Sequence, residues 1–239
     1  MIPALANPQR FMDFSRWAAP ALGLLAVALI LVGLWLGFAA PEDYQQGDTV
    51  RIMFIHVPAA WMGLFAYLCL GASSFIGLVF RHALADAAAR ACAPLGAAFT
   101  ALALITGSLW GRPMWGAWWV WDARLTSVLV LFLFYLGYMA LHAAIEDEAK
   151  ADRAAAILAL VGLINLPIVH YSVVWWNSLH QGESIFRPGG PAMSAVYLTP
   201  LALSGAGYAA AFGALWLTRT RGEVWRRRAG ALAVQDAFA

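Results

Sequence analysis

The chain has 239 residues, of which 62% are hydrophobic and 12% are charged, and its formal net charge is +2. Ordinary soluble domains carry about 25% charged residues, so this composition excludes a soluble globular protein and predicts an integral membrane protein. The two cysteines, Cys69 and Cys92, form no C-x-x-C pair, and we therefore expect no disulfide framework.

Six charge-free runs follow one another along the chain, and each supplies the ~20 apolar residues that cross a hydrocarbon core of ~30 Å. The runs are continuously apolar and lack the alternation of barrel strands, which favours helices. The first run is too long for the apolar part of a signal peptide, and Pro167 should kink the fifth helix. We predict an all-α bundle of six transmembrane helices forming one domain over residues 1–239. The runs cover 17–41, 52–80, 91–111, 125–145, 154–182 and 188–218.

Basic residues are distributed unequally between the two sides of such a bundle. Successive connections lie on alternate sides, and eleven of the 15 lysines and arginines then fall on the side of the two termini. The positive-inside rule therefore predicts that both termini are cytoplasmic. The connections near 39–56, 111–124 and 175–194 should therefore share the extracytoplasmic face. The basic C-terminal tail, with Arg226, Arg227 and Arg228, is typical of a segment that faces anionic lipid.

A tryptophan-rich segment, 110–126, lies between the third and fourth predicted helices. An aromatic belt at the membrane interface is one explanation, but an anchor needs neither Gly111 nor Gly116, and a large, flat, apolar ligand such as a porphyrin suits these indoles better. Arginines would bind its propionates, and Arg51 and Arg124 are preferred to Arg112 and Arg187. The indoles concerned are Trp110, Trp115, Trp118, Trp119 and Trp121.

Two histidines are predicted to lie on the same face as this segment. His56 and His180 could be the axial ligands of a haem iron, because a neutral imidazole is a common haem ligand. His170 is the second choice for a ligand, although a hydrogen bond to a carbonyl freed by the kink explains it more simply. Asp122 could cap the fourth helix, contact the ligand, or do both.

The residues Trp115 to Asp122 match the pattern W-G-x-x-W-x-W-D of the haem-handling "WWD" proteins. Together with YQQGDTVRIMFIHVPAAW and WWNSLHQG, they give the whole chain a resemblance to the haem exporter protein C family (CcmC) of cytochrome c maturation. The resemblance implies a multi-pass protein of the bacterial inner membrane that holds haem b at the periplasmic face through two histidines, which map onto His56 and His180.

The resemblance also implies partners. The expected partners are a periplasmic haem chaperone (CcmE), a small membrane subunit (CcmD) and an ABC-type pair (CcmA and CcmB). Nucleic acid is not an expected partner. A haem-presenting protein without its own ATPase is the favoured function, since the chain has no phosphate-binding glycine motif. The alternative is a haem lyase that attaches haem directly to apocytochrome c. A channel is disfavoured, because the spans contain almost no charges to line a path.

Overall fold

The structure is a computed structural model, and it describes residues 7–176, 178–180, 182, 184–185 and 187–237. Its described part consists of helices and their connections, with a single isolated β-bridge between Asp43 and Gly47. A short 3-10 helix, Asp48–Ile52, precedes the second long helix. The α-helices are α1 (Pro8–Ala39), α2 (Met53–Phe80), α3 (Ala83–Trp115), α4 (Ala123–Ala144), α5 (Glu148–Gly162), α6 (Asn165–Trp175) and α7 (Ala195–Ala237).

Six helical segments of the described chain are long and apolar enough to cross a membrane, which confirms the predicted number of spans. The fifth span consists of α5 and α6, which are separated by Leu163 and Ile164. Pro167 stands three positions after this break and has no N–H to donate to the preceding turn. The predicted interruption is therefore present, and the buried Asn165 amide donates to the Ser127 carbonyl at 2.8 Å, which holds the start of α6 against α4.

Small residues let the helices approach closely. The main packed pairs are α1 with α7 and α2 with α3. At the centre, Tyr135 is fully buried and donates its hydroxyl to the Gly63 carbonyl at 2.8 Å. A Cβ at Gly96 would lie 2.1 Å from the same hydroxyl, so this position has no room for a side chain. Close packing around small residues is how membrane helices associate when lipid supplies no hydrophobic driving force.

The bundle has two chemically different ends. One end carries His56, His180 and the connection from α3 to α4, and we call it the histidine end. Here Tyr197, near the start of α7, donates its hydroxyl to the Pro41 carbonyl at 3.2 Å. The opposite end, which we call the arginine end, carries the connections from α2 to α3 and from α4 to α5.

An ion-pair network holds the arginine end together. Arg227 pairs with Asp152 at 3.0 Å and with Glu223 at 3.2 Å, and Arg226 contacts Glu148. Arg221 donates to the Met12 carbonyl of α1 at 2.7 Å. Two arginines of the basic tail, Arg226 and Arg227, thus bind acidic side chains of α5 and α7.

Candidate functional site

His56 lies in the first turns of α2, and its imidazole rests on one stripe of α3. Its Nδ1 is 3.1 Å from the Thr106 hydroxyl oxygen, and its ring centre is 5.6 Å from that of Trp110, edge to face. Gly107 faces the same imidazole, since a Cβ there would lie 2.9 Å from its Cε1 atom. Thr106 and Gly107 precede Trp110 by four and three positions, so the three residues share one face of α3. This face gives the His56 ring a hydroxyl, the space beside a glycine and an indole.

The first part of the tryptophan-rich segment is helical. α3 continues through Trp115 and ends at Gly116, whose φ of +77° is in the left-handed region that favours glycine. The connection therefore runs over 116–122, a shorter stretch than the predicted loop at 110–126. Gly111 makes space for Trp115, because a Cβ at that position would lie 2.9 Å from the indole.

His180 is held by a carboxylate at the start of α4. Its Nδ1 is 3.1 Å from Oδ2 of Asp122, and the Ser178 hydroxyl donates to the same oxygen at 2.7 Å. The other oxygen of Asp122 accepts from the Leu125 amide at 2.7 Å, which caps α4. The predicted helix cap is therefore present, and the second oxygen of Asp122 binds Ser178 and His180. The Trp115 ring lies 5.0 Å from the His180 ring, edge to face.

The electrostatics of this pair follow from burial and hydrogen bonding. Burial alone would raise the pKa of Asp122, but its three hydrogen bonds outweigh burial and hold that pKa below the ordinary value of 3.8. Burial lowers the pKa of His180 below 6.5; the carboxylate of Asp122 opposes this change and the charge of Arg124 adds to it. At neutral pH an ionised Asp122 therefore faces a neutral imidazole, which is the form that binds metals.

Both imidazoles contact the last turns of α3. His56 packs against Trp110, and His180 packs against Trp115. In both, the hydrogen bond to a neighbouring side chain is made by Nδ1. Two neutral imidazoles are suitable ligands for a metal such as a haem iron.

The two predicted propionate arginines differ in how they are engaged. Arg51 pairs with Asp48 at 2.6 Å, while its buried Nε has no partner among the described residues. It lines a cavity of about 420 Å³ with Phe38, Ile55 and Thr106, among others. Arg124 instead donates to the Ser172 hydroxyl at 3.2 Å and to the His170 carbonyl at 3.1 Å, which joins α4 to α6.

The indoles of the connection have different exposures. Trp118 and Trp121 are 56% and 75% exposed, so their rings face outward. Trp119 packs edge to face on Trp121 at 5.5 Å, and its buried N–H has no partner in the described part of the chain. The Ser108 hydroxyl donates to the Trp118 carbonyl at 2.6 Å and so ties the connection back to α3.

The remaining histidines lie elsewhere. His170 is on an exposed face of α6, and its ring packs against Tyr171 at 4.6 Å. At the arginine end, His82 accepts the Ala85 amide at 3.4 Å as the cap of α3, and His142 is buried 3.8 Å from Asp152.

Three residues at the site were missed by the sequence reasoning: Thr106, Gly107 and Ser178. The first two precede Trp110 by four and three positions, so helical periodicity would have indicated them if the third helix had been extended through Trp110. Ser178 stands two positions before His180, and its hydroxyl accepts from the His180 amide at 3.1 Å. Such a turn is a local signal that the sequence carries.

The fold defines a polytopic membrane protein with six helices long enough to span a membrane, and two histidines and a tryptophan-rich connection lie at one end of the bundle. Comparison with known proteins gives the family. The family model CcmC, described as Heme exporter protein C, matches residues 1–235. The chain therefore belongs to the Heme exporter protein C family, as the sequence motifs indicated.

Curated relatives of the same name align along nearly the whole chain. The protein from Bradyrhizobium diazoefficiens is 53% identical over 98% of this chain and 89% of its own length. That from Paracoccus denitrificans is 49% identical over 97% of this chain and 96% of its own length. That from Escherichia coli K12 is 48% identical over 91% of this chain and 88% of its own length. All three are called Heme exporter protein C.

Proposed function

We propose that this protein holds haem b at the histidine end, with His56 and His180 as the two axial ligands of the iron, and presents it to a haem chaperone during cytochrome c maturation. The observation that carries the proposal is the convergence of the two imidazoles on the last turns of α3. Family membership supports the choice of haem as the ligand.

The surroundings of the histidines suit a porphyrin. Trp110 and Trp115 border the two imidazoles, and the exposed rings of Trp118 and Trp121 offer apolar faces for stacking. The buried Arg51 Nε and Trp119 N–H are donors without described partners, and buried donors left unpaired cost free energy. Propionate oxygens would satisfy such donors. Arg51 is thus the stronger propionate candidate, because Arg124 already binds two groups of α6.

The histidine end is assigned to the periplasmic side of the inner membrane, because the positive-inside rule places the basic arginine end in the cytoplasm. Haem would then be held where the chaperone (CcmE) can take it. The small subunit (CcmD) and the ABC-type pair (CcmA and CcmB) are the proposed membrane partners. Since this chain carries no ATPase motif, any ATP dependence is assigned to them.

The test is a haemin titration of the detergent-solubilised protein, followed by absorption spectroscopy. Wild type should give the spectrum of six-coordinate, bis-histidine haem. His56→Ala and His180→Ala should each weaken haem retention by at least about tenfold, as expected when a metal site loses a ligand or its support. His82→Asn is the matched control, because it changes a histidine at the arginine end and keeps a capping side chain.

Unchanged spectra in both ligand variants would refute the ligand assignment. Delivery is tested separately by mixing the haem-loaded protein with purified chaperone or with apocytochrome c alone. Transfer to the chaperone supports the proposal. Covalent haem on apocytochrome without the chaperone would instead establish the lyase alternative.

A further inference from the structure

We propose that Thr106 is a positioning residue that sets the tautomer of His56, so that Nδ1 carries the hydrogen and Nε2 is left free to bind iron. The iron is that of the proposed function, on which this inference rests. The tautomer itself is a property of the haem-free protein and can be tested there.

The hydrogen-bond geometry of Thr106 supports this direction. Its hydroxyl oxygen lies 2.6 Å from the Leu102 carbonyl, which can only accept, and a threonine hydroxyl has one hydrogen to donate. Donation to the carbonyl of residue i−4 is the usual bond of a threonine inside a helix. Towards His56 Nδ1, at 3.1 Å, the oxygen can then act only as an acceptor. Nδ1 must therefore carry the hydrogen.

His180 reaches the same arrangement by another route. Its Nδ1 faces the Asp122 carboxylate, which is ionised and can only accept, so its Nε2 is also left unprotonated. Metal-binding histidines commonly donate their other N–H to a carboxylate or another acceptor, which fixes the ring and its tautomer. The two histidines would thus be prepared for iron by different partners, a neutral hydroxyl on α3 and a carboxylate at the start of α4.

The tautomer is measured by nitrogen NMR of the haem-free protein labelled with ¹⁵N-histidine, and the His56 signal is identified by its loss in His56→Gln. Wild type should show the Nδ1–H form. Thr106→Val should lose this preference and bind haemin roughly tenfold to a hundredfold more weakly, while the His180 signal stays unchanged. Thr106→Ser should retain the tautomer and the affinity, because it keeps the hydroxyl.

Thr100→Val is the matched control. Thr100 is a buried threonine of the same helix that donates to the Gly96 carbonyl at 2.8 Å, and it should leave both readouts as in wild type. If Thr106→Val does not give monodisperse protein, Thr106→Ala takes its place. An Nε2–H form of His56 in wild type, or an unchanged tautomer in Thr106→Val or its substitute Thr106→Ala, would overturn the assignment.

The two proposals can fail separately. Wild type that shows the Nδ1–H form but gives no six-coordinate haem spectrum would refute the haem function and leave the role of Thr106 standing. Wild type that binds haem through both histidines, together with a Thr106→Val protein that keeps the tautomer, would refute only the role of Thr106.

Discussion

Replacing Asp122 by alanine should destabilise the haem-free protein by about 3 kcal/mol. Loss of the cap on Leu125 costs about 1 kcal/mol, and the bonds from Ser178 and His180 to the same carboxylate contribute about 1 kcal/mol each. The Asp122 side chain is only 6% exposed, so solvent should screen these interactions little. The loss is measured as the free energy of unfolding in mixed micelles titrated with SDS.

A second cap provides the control. Asp147 caps α5 by accepting the Lys150 amide at 3.0 Å, at the exposed arginine end and far from the histidines. Asp147→Ala should lose this cap and an exposed ion pair with Lys150 at 3.5 Å, which contributes little. It should therefore destabilise the protein less than Asp122→Ala. Equal losses in the two variants would refute the argument that Asp122 holds His180 in place.

Two further predictions concern the histidines. Gly107→Ala should weaken haemin binding about tenfold, because the added Cβ would lie 2.9 Å from the His56 ring. The stability of the protein should not fall, since alanine favours a helix by about 1 kcal/mol over glycine. Gly23→Ala is the control and should leave binding unchanged, because a Cβ fits there at 4.0 Å from its nearest neighbour. NMR titration of the haem-free protein should give a pKa for His180 below 6.5, and a still lower one in Asp122→Asn, because the carboxylate opposes the lowering. Folding stability should therefore be constant above about pH 6.5 and should decline as the pH falls towards the pKa of His180 in the folded protein. A measured His180 pKa at or above 6.5 would contradict the burial argument.

The membrane architecture could be predicted from the sequence because it depends on local composition. An apolar run of sufficient length must form a helix in lipid, since its backbone groups have no other partner. For the same reason the interruption of the fifth span was foreseen from Pro167 alone. The ends of helices are set by weaker and longer-range contacts. α3 therefore continues through Trp110 and Trp115, which the composition assigned to a connection.

The arginines show how contacts redistribute charged groups. Arg124 stands two positions from Asp122 in the sequence and was a candidate propionate ligand, yet its guanidinium binds Ser172 and the His170 carbonyl of α6. Arg51 keeps one buried nitrogen without a described partner. No spacing rule separates these two residues, because the partners of Arg124 lie 46 and 48 positions away.

The sequence by itself determined the class of protein, the number of spans, the family motif and the two histidines worth considering. Hydrophobicity and residue type are local properties, and they suffice for these conclusions. The tertiary structure decided which groups surround each histidine. Thr106 faces His56 across 50 positions and Asp122 faces His180 across 58. Which nitrogen of each ring carries a hydrogen depends on those neighbours. Only the packing of α2 on α3, and of His180 on the start of α4, brings them within hydrogen-bonding distance.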